Sequence, residues 1–262
     1  MLHVLDGDAT LPAFRAASLD GDAVVWREAL LEGPWPRPLR GVDEALAAVE
    51  RAVAAGDEVA LWFDEDLFCR LHAAFFAHRF PGARLTNVLG THSERRDLAP
   101  LVARRVPLDP ALADAWRAYA SPDPRPLAPL AQRFPWLRHH LERFPHVDDG
   151  LNALERRALE VLRDEGPLPF HALYPKVAQG DFSAARYGLG DAELDRTLAE
   201  LGPLVARGER VGIAHEGREV LAGRADRADH APLDRWLGGV HLVGRGAWRY
   251  DGERIVPHAP SS

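Results

Sequence analysis

The clearest strand signal in this chain is the segment Val59-Ala60-Leu61-Trp62-Phe63. A segment that is apolar at every position is typical of a β-strand buried on both faces of a sheet. A helical signal follows it, in which Leu67, Leu71 and Phe75 recur at four-residue intervals. We therefore predict a buried central strand that leads into a helix.

Three further strand signals occur in the first half of the chain, and helical segments separate them. They are His3-Val4-Leu5, Val24-Val25-Trp26 and Leu85-Thr86-Asn87-Val88-Leu89. Strands that are connected through helices are joined by crossovers and lie parallel. The first half is therefore predicted to be an α/β domain, with a mainly parallel open sheet and flanking helices.

The second half has a different pattern, in which three helical segments precede a hairpin. The helical segments are 153–162, 169–174 and 192–201, and the hairpin joins 204–206 to 210–213 across Gly208. This order predicts a winged-helix-like α+β domain. Strand signals at 239–243, 247–250 and 253–256 follow, and glycine-containing turns between them predict a β-meander.

The predicted domain organisation has three parts. An α/β domain covers 1–106, a helical connector interrupted by prolines covers 107–150, and the winged-helix-like domain with its meander covers 151–262. The polar segment His146-Val147-Asp148-Asp149-Gly150 marks the second boundary, because domain boundaries fall in polar, glycine-containing segments.

Composition excludes several classes of protein. The 262 residues are 47% hydrophobic and 27% charged, which is ordinary for a globular protein. A formal net charge of −7 disfavours a broad nucleic-acid or anionic-membrane surface. Cys69 is the only cysteine, so no disulfide can form within the chain. No membrane span or secretory signal is recognisable, and a cytoplasmic location is expected.

Five motifs resemble those of a family of uncharacterised bacterial proteins, whose amino-terminal region is catalogued as a domain of unknown function. In the first half they are HVxxGD at 3–8, VWRExLxEGP at 25–34 and LWFxxDLF at 61–68. In the second half they are YGLGD at 187–191 and RWLGGVHL at 235–242. The resemblance covers nearly the whole chain and implies a two-part protein without an assigned activity.

Polar side chains follow the predicted strand ends. In open parallel sheets, ligands bind beyond the carboxyl ends of the strands. We therefore predict a site for a small polar or anionic ligand at this edge of the sheet. Its candidate residues are Asp6, Gly7, Asp8, Arg27, Glu28, Asp64, Thr91, His92 and Arg95.

The chemistry of this site stays open at the level of sequence. Asp6, Asp8, Glu28 and Asp64 are candidate ligands for Mg²⁺ or Mn²⁺, which prefer carboxylate oxygens. Asp6 and His92 are candidate catalytic acids or bases. The alternative is that the acids only cap helices and turns. Because nucleotide-binding, metalloprotease and esterase motifs are missing, the sequence does not determine whether the protein is an enzyme.

The alternative function is a non-catalytic regulatory or protein-interaction module that uses the winged-helix-like domain. DNA binding is less favoured, because the helix expected to read bases carries several acids and only one basic residue, Arg196. Those acids are Asp191, Glu193, Asp195 and Glu200. A protein partner is therefore preferred over nucleic acid for this domain.

Overall fold

The computed structural model describes residues 1–31, 33–90, 98–183 and 186–258. The chain forms two compact units, and each is described by itself. Unit 1 consists of Met1–Glu32 and Pro36–Ala120, and unit 2 consists of Gly33–Trp35 and Ser121–Ser262. The predicted division at 106 and 150 stays a prediction. Among the helices of these residues, none has the length and apolar character needed to cross a membrane.

Unit 1 contains a five-stranded sheet with the order β2-β1-β3-β4-β5. Its strands are β1 (Leu2–Asp6), β2 (Asp22–Trp26), β3 (Val59–Trp62), β4 (Leu85–Asn87) and β5 (Val106–Pro107). The first four strands are parallel, which confirms the mainly parallel sheet, and β5 adds an antiparallel edge. The sequence did not predict β5, because two residues are too few to show a periodic pattern.

Helices flank this sheet, as predicted. They are α1 (Leu11–Ala16), α2 (Asp43–Ala54), α3 (Leu67–Arg79), α4 (Ala99–Ala103) and α5 (Leu112–Tyr119). On one face, Leu5 and Trp62 of the sheet pack with Phe14 of α1 and Leu101 of α4. On the other face, Trp26 and Phe63 lie against Phe76 of α3, with ring centroids 5.0 and 5.6 Å away. Trp26 and Trp62 are both buried.

Helix α3 is buried along almost its whole length, from Leu67 to Ala77. Its first turn is closed by Asp66, whose Oδ1 accepts a hydrogen bond of 3.0 Å from the backbone N–H of Cys69. An aspartate in this position satisfies one of the free N–H groups of a helix start. The same bond fixes the place of Cys69 at the carboxyl edge of the sheet.

Unit 2 contains seven α-helices, two short 3-10 helices and six short strands in its described residues. The helices are α6 (Leu127–Arg133), α7 (Leu137–Leu141), α8 (Ala153–Glu165), α9 (Phe170–Val177), α10 (Asp191–Glu200), α11 (His215–Leu221) and α12 (Arg227–His230). The strands are β6 (Val205–Ala206), β7 (Gly212–Ile213), β8 (Leu233–Leu237), β9 (Val240–Gly244), β10 (Trp248–Tyr250) and β11 (Ile255–Pro257). Leucines of α8 and α10 form much of its apolar core.

The strands of unit 2 form three antiparallel pairs, β6–β7, β8–β9 and β10–β11. The first pair matches the predicted hairpin. The last two pairs differ from the predicted meander, because β9 and β10 belong to separate sheets. The reason is that β10 pairs elsewhere: Tyr250 N–H donates to the carbonyl of Pro145 (2.8 Å), and Val147 N–H donates to that of Tyr250 (3.0 Å).

Candidate functional site

The strand order of unit 1 reverses between β1 and β3, since β2 lies on one side of β1 while β3 and β4 lie on the other. In doubly wound sheets, ligands bind outside the carboxyl ends of the strands at this reversal. Strand β1 ends at Asp6, and Asp64 follows β3. Leu5 is the register partner of Trp62, so the two strands end side by side.

Asp6 is the centre of a polar cluster at this position. Its Oδ2 accepts a hydrogen bond of 3.1 Å from the Cys69 thiol, and its Oδ1 lies 3.7 Å from Nδ1 of His72. The Asp6 side chain is 11% exposed, and His72 is buried. Cys69 and His72 are three positions apart on α3, so both lie on one face of that helix. Strand β1 and helix α3 thus build the cluster together.

The His72 imidazole is held neutral. Burial lowers the pKa of His72 to about 3, and the nearby Glu28 backbone and Asp66 carboxylate oppose this shift only in part. Its ring lies 4.2 Å from Phe68 and 5.2 Å from Phe63, centroid to centroid. Neither ring nitrogen makes a geometrically sound hydrogen bond within the described chain. A neutral imidazole can donate from one nitrogen and accept at the other.

Cys69 remains a thiol. Burial raises its pKa, and the carboxylates of Asp6 and Asp66 raise it further. Because the thiolate is the reactive form, this cysteine is not an activated nucleophile. Its role in the cluster is to donate a hydrogen bond to Asp6.

Two more buried polar atoms lie in the same layer of unit 1. The indole Nε1 of Trp26 and the amide Oδ1 of Asn87 have no hydrogen-bond partner in the residues that the structure covers. Trp26 is the register partner of Asp6, and its ring lies 6.0 Å from that of His72. Buried polar groups without partners are rare in folded proteins.

The predicted acid Asp64 is buried, and its Oδ1 accepts a hydrogen bond from the backbone N–H of Gly90. Asp64 therefore links the end of β3 to the segment that follows β4. The alternative prediction is that the acids Asp8 and Asp64 cap helices, but neither of them caps a helix in the described residues. Asp66 caps α3, and the Thr10 start of α1 has no side-chain cap.

Asp8, Arg27 and Glu28 lie at the predicted edge but have other partners. Arg27 forms two hydrogen bonds with the Asp8 carboxylate (2.6 and 2.9 Å), and both side chains are exposed. Glu28 is buried and paired with Arg37 at 2.7 Å. Arg27 is the largest cause of the lowered pKa of Asp8. These acids are neutralised by arginines.

The backbone conformation of Gly7 and the space around it match what the predicted site requires. It has a φ of +71°, which favours glycine, and no atom lies within 4 Å of where a Cβ would stand. Its N–H donates to the carbonyl of Trp26 at 3.1 Å. Gly7 therefore leaves open space beside Asp6.

The fit of these acids to Mg²⁺ or Mn²⁺ is poor in the described ranges. Within them, no group of three or more His, Cys, Asp and Glu side chains is arranged to hold a metal ion. Asp8 and Glu28 instead form ion pairs with arginines. We therefore derive no chemistry through a metal.

Three predicted site residues, Thr91, His92 and Arg95, lie outside the described residues. The predicted catalytic role of His92 stays a prediction. The structure adds Cys69 and His72, which are not among the site residues predicted from the sequence. A usable signal was present: apolar residues occur on all sides of the segment 67–77, which predicts burial of Cys69 and His72 among them, whereas His78 and Arg79 at the end of the helix are exposed.

Comparison with known proteins gives no family for this chain. No protein-family model matches it, and no curated protein matches it. The resemblance to the family of uncharacterised bacterial proteins stays a prediction. A functional assignment therefore rests on the chemistry of the site.

Proposed function

We propose that unit 1 binds a small polar ligand at the reversal point between β1 and β3, with Asp6 and His72 as its principal contacts. The observation that carries this proposal is the Asp6–Cys69–His72 cluster at the carboxyl end of β1. Its position supports a ligand site, because doubly wound sheets bind ligands there.

The energetics of the cluster also support a ligand. A buried polar group without a partner costs about 1–3 kcal/mol, and apolar residues of similar size would avoid that cost. His72 and Trp26 carry such groups at the same edge. Proteins tolerate unfavourable local features, such as buried polar groups without partners, mainly at functional sites. A bound ligand would supply the missing partners.

The groups present indicate the chemistry of the ligand. Asp6 accepts hydrogen bonds, Trp26 Nε1 donates, and the neutral His72 can do both. This set fits a neutral polar molecule with hydroxyl or amide groups. The predicted contact to an anionic portion rests on Arg95, which lies outside the described residues. If the site is catalytic, Asp6 is the candidate general base, because a carboxylate next to a neutral imidazole can take up a proton.

The test uses wild type, Asp6→Asn and the matched control Asp8→Asn. Thermal unfolding is followed with panels of sugars, nucleosides, amides and phosphate esters, and separately with Mg²⁺ or Mn²⁺. A ligand at about 100 times its Kd stabilises the protein by about 2.7 kcal/mol. We expect one class of compound to stabilise wild type and Asp8→Asn but not Asp6→Asn.

The proposal fails if no compound stabilises wild type, or if stabilisation persists in Asp6→Asn. A shift with Mg²⁺ or Mn²⁺ alone that depends on Asp6 would restore the metal hypothesis. A hit that depends on Asp6 but not on Asp8 would place the ligand at the buried cluster and away from the exposed pair.

We propose, as a second candidate function, that unit 2 is a winged-helix-like module that contacts a protein. Support comes from the order α8, α9, α10 and β6–β7, and from an isolated antiparallel bridge between Leu168 and Val211. The bridge joins the segment between α8 and α9 to the hairpin. The exposed face of α10 carries Asp191, Asp195 and Glu200, which disfavours DNA.

Fluorescence anisotropy with a labelled DNA duplex tests this preference. We expect no binding even at low salt. Binding that weakens steeply as salt increases would show phosphate contacts and would reverse the preference for a protein partner.

A further inference from the structure

Unit 2 contains a pocket of about 290 Å³ that opens to solvent. One wall is a face of α8, where the lining residues recur with helical spacing. They are Ala153, Arg156, Arg157 and Glu160. A volume near 300 Å³ is at the lower end of pockets that hold small organic ligands.

The opposite walls are largely apolar. Phe144 and Leu151 are each 1% exposed, and Phe182 and Tyr250 add two aromatic rings to the lining, which also includes His146. The Tyr250 hydroxyl donates to the carbonyl of Gly252 at 2.7 Å, which holds the ring in place. This part of the pocket suits an aromatic or branched aliphatic group.

Three charged groups of the pocket have polar side-chain partners. Arg156 pairs with Asp149 at 2.6 Å, and Asp181 pairs with Arg186. Glu142 accepts a hydrogen bond of 3.3 Å from Nδ1 of His139, which adds a countercharge only when that histidine is protonated. These partners hold the three side chains in the wall of the pocket.

Two lining residues of opposite charge, Arg157 and Glu160, have no ion-pair partner in the described part of the chain. Arg157 donates one hydrogen bond, of 2.9 Å, to the carbonyl of Lys176, and among the residues described no carboxylate lies within ion-pair distance of it, although it acts on Asp164 from further away. In those same ranges the Glu160 side chain has no hydrogen bond and no ion pair, and Arg163 is a charged neighbour at longer range. The two are three positions apart on α8, about 4.5 Å along its axis, yet they do not pair with each other.

We propose that this pocket binds a free α-amino acid with a hydrophobic side chain. The carboxylate of the ligand pairs with Arg157 and its ammonium group pairs with Glu160. The side chain of the ligand lies against Phe144, Phe182 and Tyr250. A zwitterion fits because it supplies one charge of each sign, a carboxylate for Arg157 and an ammonium group for Glu160.

Isothermal titration of the full chain with L-phenylalanine tests the proposal. The comparison ligands are 3-phenylpropionate, which lacks the ammonium group, and phenethylamine, which lacks the carboxylate. We expect L-phenylalanine to bind, and each comparison ligand to bind about ten- to a hundredfold more weakly, as loss of one charge-assisted hydrogen bond predicts.

Three variants locate the binding. Arg157→Gln and Glu160→Gln should each weaken L-phenylalanine binding about tenfold or more. The matched control Arg224→Gln changes an exposed arginine of unit 2 that pairs with Glu219 and does not line the pocket. This control should bind like wild type.

Several results would overturn the proposal. They are absence of binding to wild type, equal binding of 3-phenylpropionate, and unchanged binding in both pocket variants. Binding that is lost in Asp6→Asn but kept in Arg157→Gln would assign the amino acid to unit 1. If a pocket variant fails to fold, the three ligands compared on wild type still decide the question.

Discussion

In unit 2, the buried carboxylate of Glu155 accepts hydrogen bonds from Arg227, Arg235 and the backbone N–H of Asn152. In unit 1, the buried imidazole of His72 has the Glu28 backbone nearby but makes no hydrogen bond of good geometry with a described residue. Burial would raise the pKa of Glu155, but the two guanidinium groups outweigh burial and hold it below its ordinary value. Burial instead lowers the pKa of His72, so this imidazole is neutral.

This difference separates two uses of buried polar groups. The Glu155 cluster joins the start of α8 to α12 and β8, and its carboxylate oxygens have partners from three segments. Such a network specifies one packing arrangement. The cluster around His72 leaves donors and acceptors unused at the edge where other doubly wound sheets bind ligands. The satisfied groups of unit 2 stabilise its packing, whereas the unsatisfied groups of unit 1 are the basis of the proposed ligand site.

The largest effect is expected for Glu155→Gln, which tests whether the Glu155 cluster stabilises unit 2. We expect the free energy of unfolding of unit 2 to fall by about 3–5 kcal/mol, because Arg227 is left buried without its countercharge. Urea unfolding measures the change. The matched control is Glu160→Gln on the same helix, where we expect a change within about 0.5 kcal/mol. Equal losses in the two variants would contradict the comparison.

The next effect concerns Cys69, the only cysteine. Iodoacetamide should alkylate the folded protein at least about a hundredfold more slowly than the urea-unfolded chain, because the thiol is buried and its pKa is raised by burial. Mass spectrometry follows the reaction. A folded-state rate close to the unfolded one would mean that the thiol is accessible, contrary to its place beneath Asp6.

The pH dependence of stability tests the neutral state of His72. The unfolded chain takes up a proton at this histidine below about pH 6.5, whereas the folded chain does so only near pH 3. The free energy of unfolding therefore falls as pH decreases through this window. His72→Gln should reduce this slope by up to about 1.4 kcal/mol per pH unit.

The control for that experiment is His78→Gln, because His78 is exposed on the same helix. Burial lowers the pKa of His78 as well, so a smaller reduction of the slope is expected. Urea unfolding at several pH values measures both variants. An unchanged slope in His72→Gln would mean that the folded protein protonates this residue.

The smallest effect is expected for Asp8→Asn. The pair Asp8–Arg27 is exposed, and exposed ion pairs are screened by solvent and salt. We expect no measurable change in Tm at physiological salt by differential scanning calorimetry. A clear loss of stability would show that this pair is coupled to the buried cluster, and it would remove Asp8→Asn as a control for Asp6.

The carboxyl edge of unit 1 was predictable in part. Asp6 and Asp64 follow apolar segments, and parallel strands bring such positions to one edge, so sequence periodicity was enough to place them there. The pairing of Asp8 with Arg27 and of Glu28 with Arg37 was not predictable, because side-chain partners depend on how loops fold back. The same holds for the pairing of β10 with the segment around Pro145.

The sequence by itself determined the mainly parallel sheet of unit 1, because continuous apolar segments separated by helices leave few other ways to bury them. It also determined the strand pair β6–β7, through short-range pairing across a glycine turn. Only the tertiary structure decided that Cys69 and His72 lie beside Asp6, more than sixty positions away in the chain. Local patterns report which face of an element is buried, whereas the partner on that face follows from the packing of distant elements.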